Sequence, residues 1–555
     1  MTIKLDKEKK EKEKIKQLLL QSIKNPSYEL ECIVGGNLNL GSNISYNQFR
    51  KIISRINGKK EFITKSPSQK LSITFPFDSK FKSVRVNILG FKSINDYCNN
   101  ENIESIHRNV VFETKQFVNE KLKKLYVNNY NLKFNQKSEK NLDMDTALIR
   151  ELLKNWKNIP KVFRYKKIYQ YASLDGNFSV DCSVVKSSNF EDNLMSIKEI
   201  FEKDLIQNVI KPLEERASFK DWWEKVSKNK SNKVKVRNLQ VYYKSIKESK
   251  VFENDILYEV EIEYTGNKKE MVLNNKKTNS NNDREKNINN STLKKVFIKD
   301  IYDNSKNKDK IIDTLFGSFF FYIGIVLQCA QDSFYIMSNN DKFKVYKNYI
   351  KLTDINRPME DMFFGPLSID LDKNKMIRYQ DNIYEDMNKV VMNGNILLDY
   401  SVTDKTDGSR ALLYIDVDGE AYLVSRDSNS VLKKVGVQIK SFANSIFDGE
   451  FIEYDINKKL MNGYFIFDCY YFKGNNVMDN IFGMGIKEPE RLFFCKKFSE
   501  FVNEGEGVYY KDNNFIFKIK CKNFLFGAQS STNYKNRDYN QIFTKSKQLL
   551  DKTLI

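Results

Sequence analysis

Short runs in which polar and apolar residues alternate fill the chain between residues 28 and 264. They read YELECIV, KLSITFPF, SVRVNILG, NVVFETKQFV, FSVDCSVVK and LYEVEIEY. Because successive side chains of a strand point to opposite faces, these runs predict an antiparallel sheet or barrel. Two helices accompany the strands: a basic amphipathic helix over residues 5–24, which Pro26 ends, and a helix over residues 194–226 that packs on the strands.

The composition changes after this β-rich region. Residues 266–310 are dominated by Asn, Lys, Asp and Ser, which predicts a flexible insertion because such residues cannot bury a core. The apolar residues 315–327 fall short of the roughly 20 that a membrane-spanning helix needs, so we interpret them as a buried helix that opens a second region. Strands resume around residues 397–402, 411–416, 421–425, 464–468 and 515–519. The predicted domains are residues 1–265 and 311–555, joined by the insertion 266–310.

The charge of the chain favours polyanionic partners. Its 92 Lys and Arg against 72 Asp and Glu give a formal net charge of +20, which favours RNA, DNA or nucleoside triphosphates, although a Lys- and Asn-rich chain also drifts basic without such a partner. His107 is the only histidine in the sequence, which argues against Ser-His-Asp chemistry and histidine-rich metal sites. The seven cysteines are scattered and the N-terminus is a charged run, so we expect reduced thiols, no export, no membrane partner and a cytoplasmic location.

The segment Lys405-Thr406-Asp407-Gly408-Ser409-Arg410 lies between two apolar runs. Asp-Gly is a strong turn signal, so these runs are predicted to form the arms of a hairpin, with Lys405 where strand becomes loop. A lysine held there can attack phosphorus if its pKa is depressed, and the cations of Arg410, Lys518 and Lys520 are candidates for that effect. Taken alone, the segment is equally compatible with a charged turn.

Four more elements follow this segment in order. They are Asp448-Gly449-Glu450, Asp468 in YFIFDCYYF, Glu506-Gly507-Val508, and the strand FIFKIK with Lys518 and Lys520. In identity and order the five elements resemble the motifs of the covalent nucleotidyltransferase superfamily, which comprises mRNA guanylyltransferases and ATP- or NAD-dependent nucleic-acid ligases.

That resemblance implies a role for each residue. Lys405 would be the nucleophile that forms a lysyl-nucleotide, and Arg410 and Glu450 would contact the ribose of GTP. Phe465 or Phe467 would stack the base. Asp468 and Glu506 would assist the lysine and a metal ion, while Lys518 and Lys520 would neutralise the charge that grows on the α-phosphate.

One part of the family pattern is weak here. The family usually continues into an OB-fold with a basic motif that orients the leaving group, and Arg537-Asp538 is only a faint echo of that motif. The sequence therefore predicts an OB-fold that is reduced or absent, or supplied by another chain.

Two strands of the first region carry glutamates at alternate positions. Glu29 and Glu31 share one face of YELECIV, and Glu259, Glu261 and Glu263 share one face of LYEVEIEY. Each strand alone is compatible with a solvent-exposed acidic face. If both faces point into one cavity, however, the carboxylates need cations, and a hard divalent ion such as Mg²⁺ or Mn²⁺ fits their oxygen ligands.

Together with single basic residues in the neighbouring strands, this arrangement resembles the triphosphate tunnel metalloenzymes, specifically the metal-dependent RNA 5′-triphosphatases. The resemblance implies that Glu29, Glu31 and Glu263 bind the metal directly and that Glu259 and Glu261 support it. The residues that would grip the triphosphate are Arg85, Lys115, Arg164 and Lys166.

A triphosphatase tunnel followed by a lysyl-nucleotidyltransferase is the order found in mRNA capping enzymes of poxviruses, other large cytoplasmic DNA viruses and yeast cytoplasmic linear plasmids. The resemblance implies an α+β protein, an antiparallel β-tunnel followed by a covalent nucleotidyltransferase domain. It would act on RNA 5′ ends and GTP, with a cap methyltransferase or a transcription-apparatus subunit as a partner. Two alternatives stay open: an ATP-dependent RNA or DNA ligase, and a triphosphatase or RNA-binding scaffold whose transferase domain is inactive.

Overall fold

The computed structural model divides into two units, Met1–Ala330 and Gln331–Ile555, and we describe each by itself. The structure describes residues 9–35, 44–76, 79–118, 125–188, 190–196, 233–240, 242–273, 291–366, 400–426, 432–505, 508–510, 517–526 and 543–548.

The described part of the first unit contains fourteen strands and seven α-helices. The strands are β1 (Tyr28–Val34), β2 (Phe62–Thr64), β3 (Ser68–Thr74), β4 (Val84–Leu89), β5 (Val110–Phe117), β6 (Leu125–Val127), β7 (Leu132–Leu142), β8 (Val162–Ser173), β9 (Phe178–Ser187), β10 (Phe190–Ser196), β11 (Lys233–Gln240), β12 (Leu257–Tyr264), β13 (Asn267–Leu273) and β14 (Ser291–Phe297). The helices are α1 (Lys9–Lys24), α2 (Tyr46–Ile56), α3 (Phe91–Asn100), α4 (Ala147–Lys154), α5 (Ile246–Ser249), α6 (Ile298–Asp303) and α7 (Lys308–Gln331).

Eight antiparallel strands of this unit close into a barrel. Their order is β1-β12-β9-β8-β3-β4-β5-β7, and β7 pairs back onto β1. Strand β1 also pairs with β12, which is the last barrel strand along the chain, and this pairing sets Glu31 opposite Glu263. The predicted antiparallel tunnel is confirmed, and alternation of polar and apolar positions in strands such as β1 and β12 gives the barrel a polar and an apolar face.

The apolar outer face of the barrel is covered by helices. On one side Leu71 and Phe163 belong to a core with Ile149 of α4 and Trp156. On another, Phe319 of α7 stacks on Phe178 of β9 with ring centroids 5.2 Å apart. Because the helices bury the apolar outer positions, the polar alternate positions are left to face the interior.

The predicted boundary at residue 311 is wrong, because the apolar helix belongs to the first unit. Helix α7 packs on the barrel through Phe319 and Tyr322, so the division falls at Ala330 instead. By length and composition α7 is the one described helix that could cross a membrane, and most of it is buried in this unit.

The predicted flexible insertion over residues 266–310 is partly wrong. Strands β13 and β14 pair as an antiparallel hairpin, α6 follows, and α7 has begun by Lys308. Backbone hydrogen bonds pair the two strands of this hairpin, so a low content of apolar residues does not exclude it. Residues 274–290 lie outside the described residues. Helix α1 confirms the predicted first helix, whereas residues 194–196 of the predicted second helix belong to β10 and residues 197–226 lie outside the description.

The described part of the second unit is built on one sheet. Its strands are β15 (Ser401–Thr403), β16 (Ser409–Ile415), β17 (Glu420–Ser425), β18 (Leu432–Gln438), β19 (Ser445–Tyr454), β20 (Leu460–Phe472), β21 (Asn475–Asn476), β22 (Tyr509–Tyr510), β23 (Lys518–Cys521) and β24 (Phe524–Phe526). Its helices are α8 (Asn339–Thr353), α9 (Arg491–Glu504) and residues 543–548. The sheet order is β21-β20-β19-β16-β17-β18-β22, with β23 parallel to β20 and β15 paired only with β24.

Each face of this sheet carries a core. Phe498 of α9 stacks on Phe447 with ring centroids 4.3 Å apart, and Tyr349 of α8 packs on Tyr414 at 5.1 Å on the other face. Alternation along β16 supplies both faces, since Leu413 belongs to the first core and Leu412 to the second. The predicted reduction or absence of an OB-fold, including the Arg537-Asp538 motif, concerns residues outside the described ranges and stays a prediction.

Candidate active sites: a carboxylate tunnel and a lysine loop

The interior of the barrel is a polar cavity of about 330 Å³. All eight barrel strands contribute residues to its wall, most of these residues are polar, and both signs of charge are present. The charged lining residues are Glu29, Glu31, Lys70, Arg85, Glu113, Lys115, Lys137, Glu139, Arg164, Lys166, Asp181, Glu261 and Glu263. All four basic residues predicted to hold the triphosphate are therefore in the cavity wall.

Three of the predicted metal ligands form one cluster. A carboxylate oxygen from each of Glu29, Glu31 and Glu263 lies within 4.8 Å of the others. The cluster follows from register, because Glu31 lies opposite Glu263 and Glu29 is two residues from Glu31 on the same face. These are the three residues that the sequence assigned to direct metal binding.

Two lysines neutralise part of this charge. Lys115 Nζ lies 2.5 Å from Glu29 Oε2 and 3.1 Å from Glu31 Oε1, and it also pairs with Glu139. Lys137 Nζ lies 2.5 Å from the other oxygen of Glu31. Lys115 is thus an internal counter-ion of the carboxylate cluster in this structure.

The remaining predicted residues form ion pairs, and those other than Glu259 line the cavity. Lys166 Nζ is 3.0 Å from Glu259 Oε2 and 3.5 Å from Glu261 Oε2, and Arg164 also pairs with Glu259. Arg85 is 3.6 Å from Glu113. Glu259 and Glu261 therefore hold the basic residues in place, which is a supporting position beside the cluster of three.

The carboxylates of the cluster differ in how readily they ionise. Burial, and then the neighbouring carboxylate of Glu31, raise the pKa of Glu29 to about 8. Burial followed by Glu29 and Asp181 raises the pKa of Glu263 well above its ordinary value. Burial acts in the same direction on Glu31, but Lys137 and Lys115 outweigh it and hold the pKa of that carboxyl below its usual range.

This donor set fits a hard divalent cation. Its three ligands are carboxylates, which Mg²⁺ and Mn²⁺ prefer, and two of them do not readily ionise together without an added positive charge. Metal binding would therefore displace protons from the cluster.

The raised pKa values predict a pH-dependent effect of metal on stability. The Glu29 carboxyl has an ordinary pKa of 4.5 and a folded value of about 8, so its contribution to stability is full below 4.5 and is lost as the pH rises toward 8. A bound divalent ion would compensate for the lost stability, because it stabilises the ionised carboxylates. We expect MnCl₂ to raise the melting temperature more at about pH 8 than at about pH 6, measured by calorimetry. An equal increase in a Glu263→Gln variant would contradict the assignment.

Sequence reasoning gave no specific role to several residues that line the cavity, namely Lys70, Glu113, Lys137 and Glu139. Lys137 and Glu139 occupy alternate positions of β7, opposite Glu29 and Lys115, so strand register is the signal that finds them. Their run, NLKFNQKSEKN, is too polar for alternation alone to mark one face.

The predicted nucleophile of the second unit lies on an open loop. Lys405 is in the loop between β15 and β16, its side chain is 85% exposed, and its Nζ is 2.6 Å from Asp407 Oδ1. The hydrogen bond to Asp407 raises the pKa of Lys405. In this conformation the pKa of Lys405 is raised, so the lowering that was expected from Arg410, Lys518 and Lys520 is not observed.

The predicted hairpin around Asp407-Gly408 is also wrong. Strand β15 pairs with β24, whereas β16 pairs with β17 and β19, so the loop joins strands that are not partners. A Cβ at Gly408 would come within 3.0 Å of Glu450 Cβ and Phe451 O. Glycine is needed here because the loop lies directly against β19.

Arg410 and Glu450 lie side by side at the end of the sheet. They are register partners on β16 and β19. The Arg410 guanidinium binds both oxygens of the buried Asp448, at 3.1 and 2.6 Å. It also lies 5.4 Å from the centroid of Phe363 and 5.6 Å from that of Phe467.

The carboxylate of Glu450 connects the loop to the far end of β23. It accepts a hydrogen bond from Thr406 Oγ1, and its Oε2 is 3.4 Å from Lys522 Nζ. Lys522 is also 5.6 Å from the centroid of Phe467. The sequence did not single out Lys522, because strand β23 ends at Cys521 and the run FIFKIK stops before it.

Lys518 and Lys520 occupy the exposed face of β23, as the alternation predicts. Strand β23 runs parallel to β20 and sets Lys520 opposite Phe465. The structure thus brings the Lys405 loop, Arg410 and Glu450 to Phe467 and the end of the lysine strand. Glu506 lies outside the described residues, so its assignment stays a prediction.

Asp468 is engaged away from the lysine loop. Its carboxylate accepts hydrogen bonds from Arg491 Nε at 2.9 Å and Arg491 Nη2 at 3.3 Å. Arg491 also donates to the carbonyl oxygens of Met478 and Asn480 at 2.7 and 3.0 Å. This network indicates that Asp468 anchors the start of α9, and its assistance to Lys405 stays a prediction.

This position predicts a structural effect of Asp468→Asn. Breaking a mostly buried ion pair leaves the Arg491 guanidinium without its counter-charge, so we expect the free energy of unfolding to fall by about 3 kcal/mol. Urea denaturation measures this loss. Nucleotide transfer to Lys405, measured on the folded fraction, should stay within about threefold of wild type, since that is a change of well under 1 kcal/mol. A variant with unchanged stability and lost transfer would show that Asp468 acts in the chemistry.

Comparison with known proteins identifies part of the chain. Residues 387–548 match the family model for the catalytic domain of mRNA capping enzymes. Comparison with curated protein sequences gave no match.

Solved structures of two RNA triphosphatases are among the structural neighbours. The RNA triphosphatase domain of a trifunctional mimivirus mRNA capping enzyme shares 15% identity, with 48% of this chain and 90% of that chain covered and a TM-score of 0.27. The Pct1 RNA triphosphatase of S. pombe shares 9% identity, with 46% and 79% covered and a TM-score of 0.24. The family model spans the ordered motifs from Lys405 through Glu450 to Lys520, so residues 387–548 belong to the family of mRNA capping enzyme catalytic domains.

Proposed function

We propose that this chain performs the first two steps of mRNA capping at two separate sites. The barrel of the first unit removes the γ-phosphate of the RNA 5′-triphosphate end. The second unit transfers GMP from GTP to the resulting diphosphate end through Lys405. The observation that carries the proposal is that one chain holds a carboxylate cluster inside a barrel lined by lysines and arginines as well as acids, and a lysine loop within a segment that matches the capping-enzyme catalytic domain.

In the first step water attacks the γ-phosphorus, the bond from that phosphorus to the β-bridging oxygen breaks, and inorganic phosphate leaves. Glu29, Glu31 and Glu263 would hold a Mg²⁺ or Mn²⁺ ion, which supplies positive charge to the γ-phosphate when bound. Arg85, Lys115, Arg164 and Lys166 line the cavity and would neutralise the phosphate oxygens. Lys115 would exchange its carboxylate partners for phosphate.

In the second step the neutral amine of Lys405 attacks the α-phosphorus of GTP. A nitrogen–phosphorus bond forms, the bond to the β-phosphate oxygen breaks, and pyrophosphate leaves; the proton lost from the ammonium goes to solvent. The amine must first leave Asp407, which holds it protonated. The β-phosphate oxygen of the RNA then attacks the lysyl-GMP phosphorus and releases Lys405.

The other members of the site have positions that support this assignment. Arg410 and Glu450 lie next to one another on the sheet and would contact the ribose, and Phe467 beside them would stack guanine. Lys518 and Lys520 project from one face of β23 and would meet the α-phosphate. A cytoplasmic location, and a partner that methylates the cap, belong to the same proposal.

Transfer to RNA tests the complete proposal. RNA carrying a 5′-triphosphate, incubated with the chain, GTP and Mg²⁺, should release phosphate and pyrophosphate and gain a guanosine cap that nuclease digestion liberates. RNA with a 5′-diphosphate should be capped without phosphate release. Joining of two RNA or DNA ends with ATP, and no cap, would favour the ligase alternative instead.

A further inference from the structure

Lys522 is a buried lysine at the edge of the nucleotide site. Its side chain is 5% exposed, and its ammonium has two oxygen partners at 3.4 Å, Glu450 Oε2 and the carbonyl of Asp404. Burying an ammonium costs free energy unless such partners compensate for lost water. An apolar side chain would fill the same space without that cost, so the charge itself needs a reason.

Lys522 and its partner Glu450 contact the residues on both sides of Lys405. Asp404 precedes Lys405 and is held by the Lys522 ammonium through its carbonyl oxygen. Thr406 follows Lys405 and donates its hydroxyl to Glu450 Oε2, the same oxygen that faces Lys522. The residues on both sides of the exposed Lys405 side chain are thus tied to one buried ion pair.

The backbone of Lys522 is itself well anchored. Its N–H donates to Ile466 O of β20 at 2.8 Å, and the N–H of Cys521 donates to Ser499 Oγ of α9 at 3.1 Å. Thr403 Oγ1, just before the loop, donates to Asn523 O at 2.7 Å. The backbone of Lys522 is therefore fixed to β20 and α9, whereas the Lys405 side chain is exposed and contacts Asp407 of its own loop.

We propose that Lys522 is a positioning residue for nucleotidyl transfer, which aligns the Lys405 loop with Glu450. The inference rests on the guanylyltransferase function proposed above. Because Lys522 acts on the loop and not on GTP, its loss should slow attack on the α-phosphorus and leave GTP affinity nearly unchanged. A misplacement of about 1 Å in such a site costs about a hundredfold in rate.

Single-turnover formation of lysyl-GMP tests this role. Lys522→Met preserves the aliphatic volume and removes the ammonium, and we expect the rate constant of the covalent step to fall by about ten- to a hundredfold. The dissociation constant for GTP, measured separately, should change less than threefold, a difference of well under 1 kcal/mol. Lys522→Arg retains a donor and should recover part of the rate, and Lys487→Met, an exposed lysine of the same unit, is the matched control.

A double variant checks the shared partner. Thr406→Val removes the other contact to Glu450 Oε2, so the effects of Lys522→Met and Thr406→Val should be less than additive in free energy. Fully additive effects, a normal rate in Lys522→Met, or parallel losses of rate, GTP binding and thermal stability would overturn the positioning role. If the wild type forms no lysyl-GMP, the proposed function fails and this inference with it; a labelled wild type with an equally labelled Lys522→Met refutes the inference alone.

Discussion

Glu31→Gln should abolish release of the γ-phosphate from triphosphate RNA while leaving formation of lysyl-GMP intact. Glu31 is the most buried carboxylate of the cluster, and its two oxygens face Lys115 and Lys137. The change removes a proposed metal ligand and the carboxylate partner of Lys137, and it leaves Lys115 with Glu29 and Glu139 as its partners. Loss of a residue that merely supports a metal ligand costs about 10- to 100-fold, so the loss of a direct ligand should reach at least a hundredfold.

The measurement is release of labelled phosphate from γ-labelled RNA at saturating Mg²⁺ or Mn²⁺. Glu253→Gln, an exposed glutamate of the same unit, should behave as wild type. Full triphosphatase activity in Glu31→Gln would contradict the assignment of the barrel cavity as the site of hydrolysis. Loss of both activities together would indicate unfolding, which circular dichroism detects.

Lys405→Ala should have the converse effect, no covalent nucleotide and normal phosphate release. Alanine has no group that can form a bond to phosphorus, so the label on the protein should fall to background. Lys405→Arg should fail as well, since a guanidinium stays protonated and is a poor nucleophile. The two reactions should separate because Lys405 and the carboxylate cluster lie in different units.

Protein labelled with α-labelled GTP, resolved under denaturing conditions, measures this result. Lys458→Ala is a suitable control, because Lys458 is also an exposed lysine of the second unit. A labelled Lys405→Ala variant would show that another residue is the nucleophile. Loss of phosphate release in the same variant would contradict the independence of the two sites.

The glutamate cluster was predictable because strand alternation is a local property. Glu29 and Glu31 share a face whatever the rest of the fold does, and so do the glutamates of β12. What the sequence does not contain is the closure of the barrel, which sets Glu31 opposite Glu263 and separates Glu259 from the cluster. Lys137 and Glu139 were given no specific role for the same reason, since their positions depend on how β7 pairs with β1 and β5.

The lysine loop shows where a local signal fails. Asp407-Gly408 has the composition of a hairpin turn, but long-range pairing of β15 with β24 places the loop between different strands. Gly408 is explained by the approach of β19, a contact that lies more than forty residues along the chain. Turn propensity cannot report such a contact.

The order of the motifs predicted which residues belong to most of the second site, but it did not predict the contacts that each residue makes. Arg410 and Glu450 are neighbours, as the resemblance implies, because β16 and β19 pair. Asp468 has the expected position in the chain, yet its side chain faces Arg491. Lys522 was missed because it follows the last strand residue, where alternation no longer indicates direction.

The central claim is that Lys405 forms a covalent bond to GMP. The direct measurement is incubation of the wild-type chain with α-labelled GTP or α-labelled ATP and Mg²⁺, followed by mass spectrometry of the labelled peptide. The account predicts GMP on Lys405, released by hydroxylamine or by diphosphate RNA. AMP on Lys405, or no nucleotide on the protein with either substrate, would contradict it.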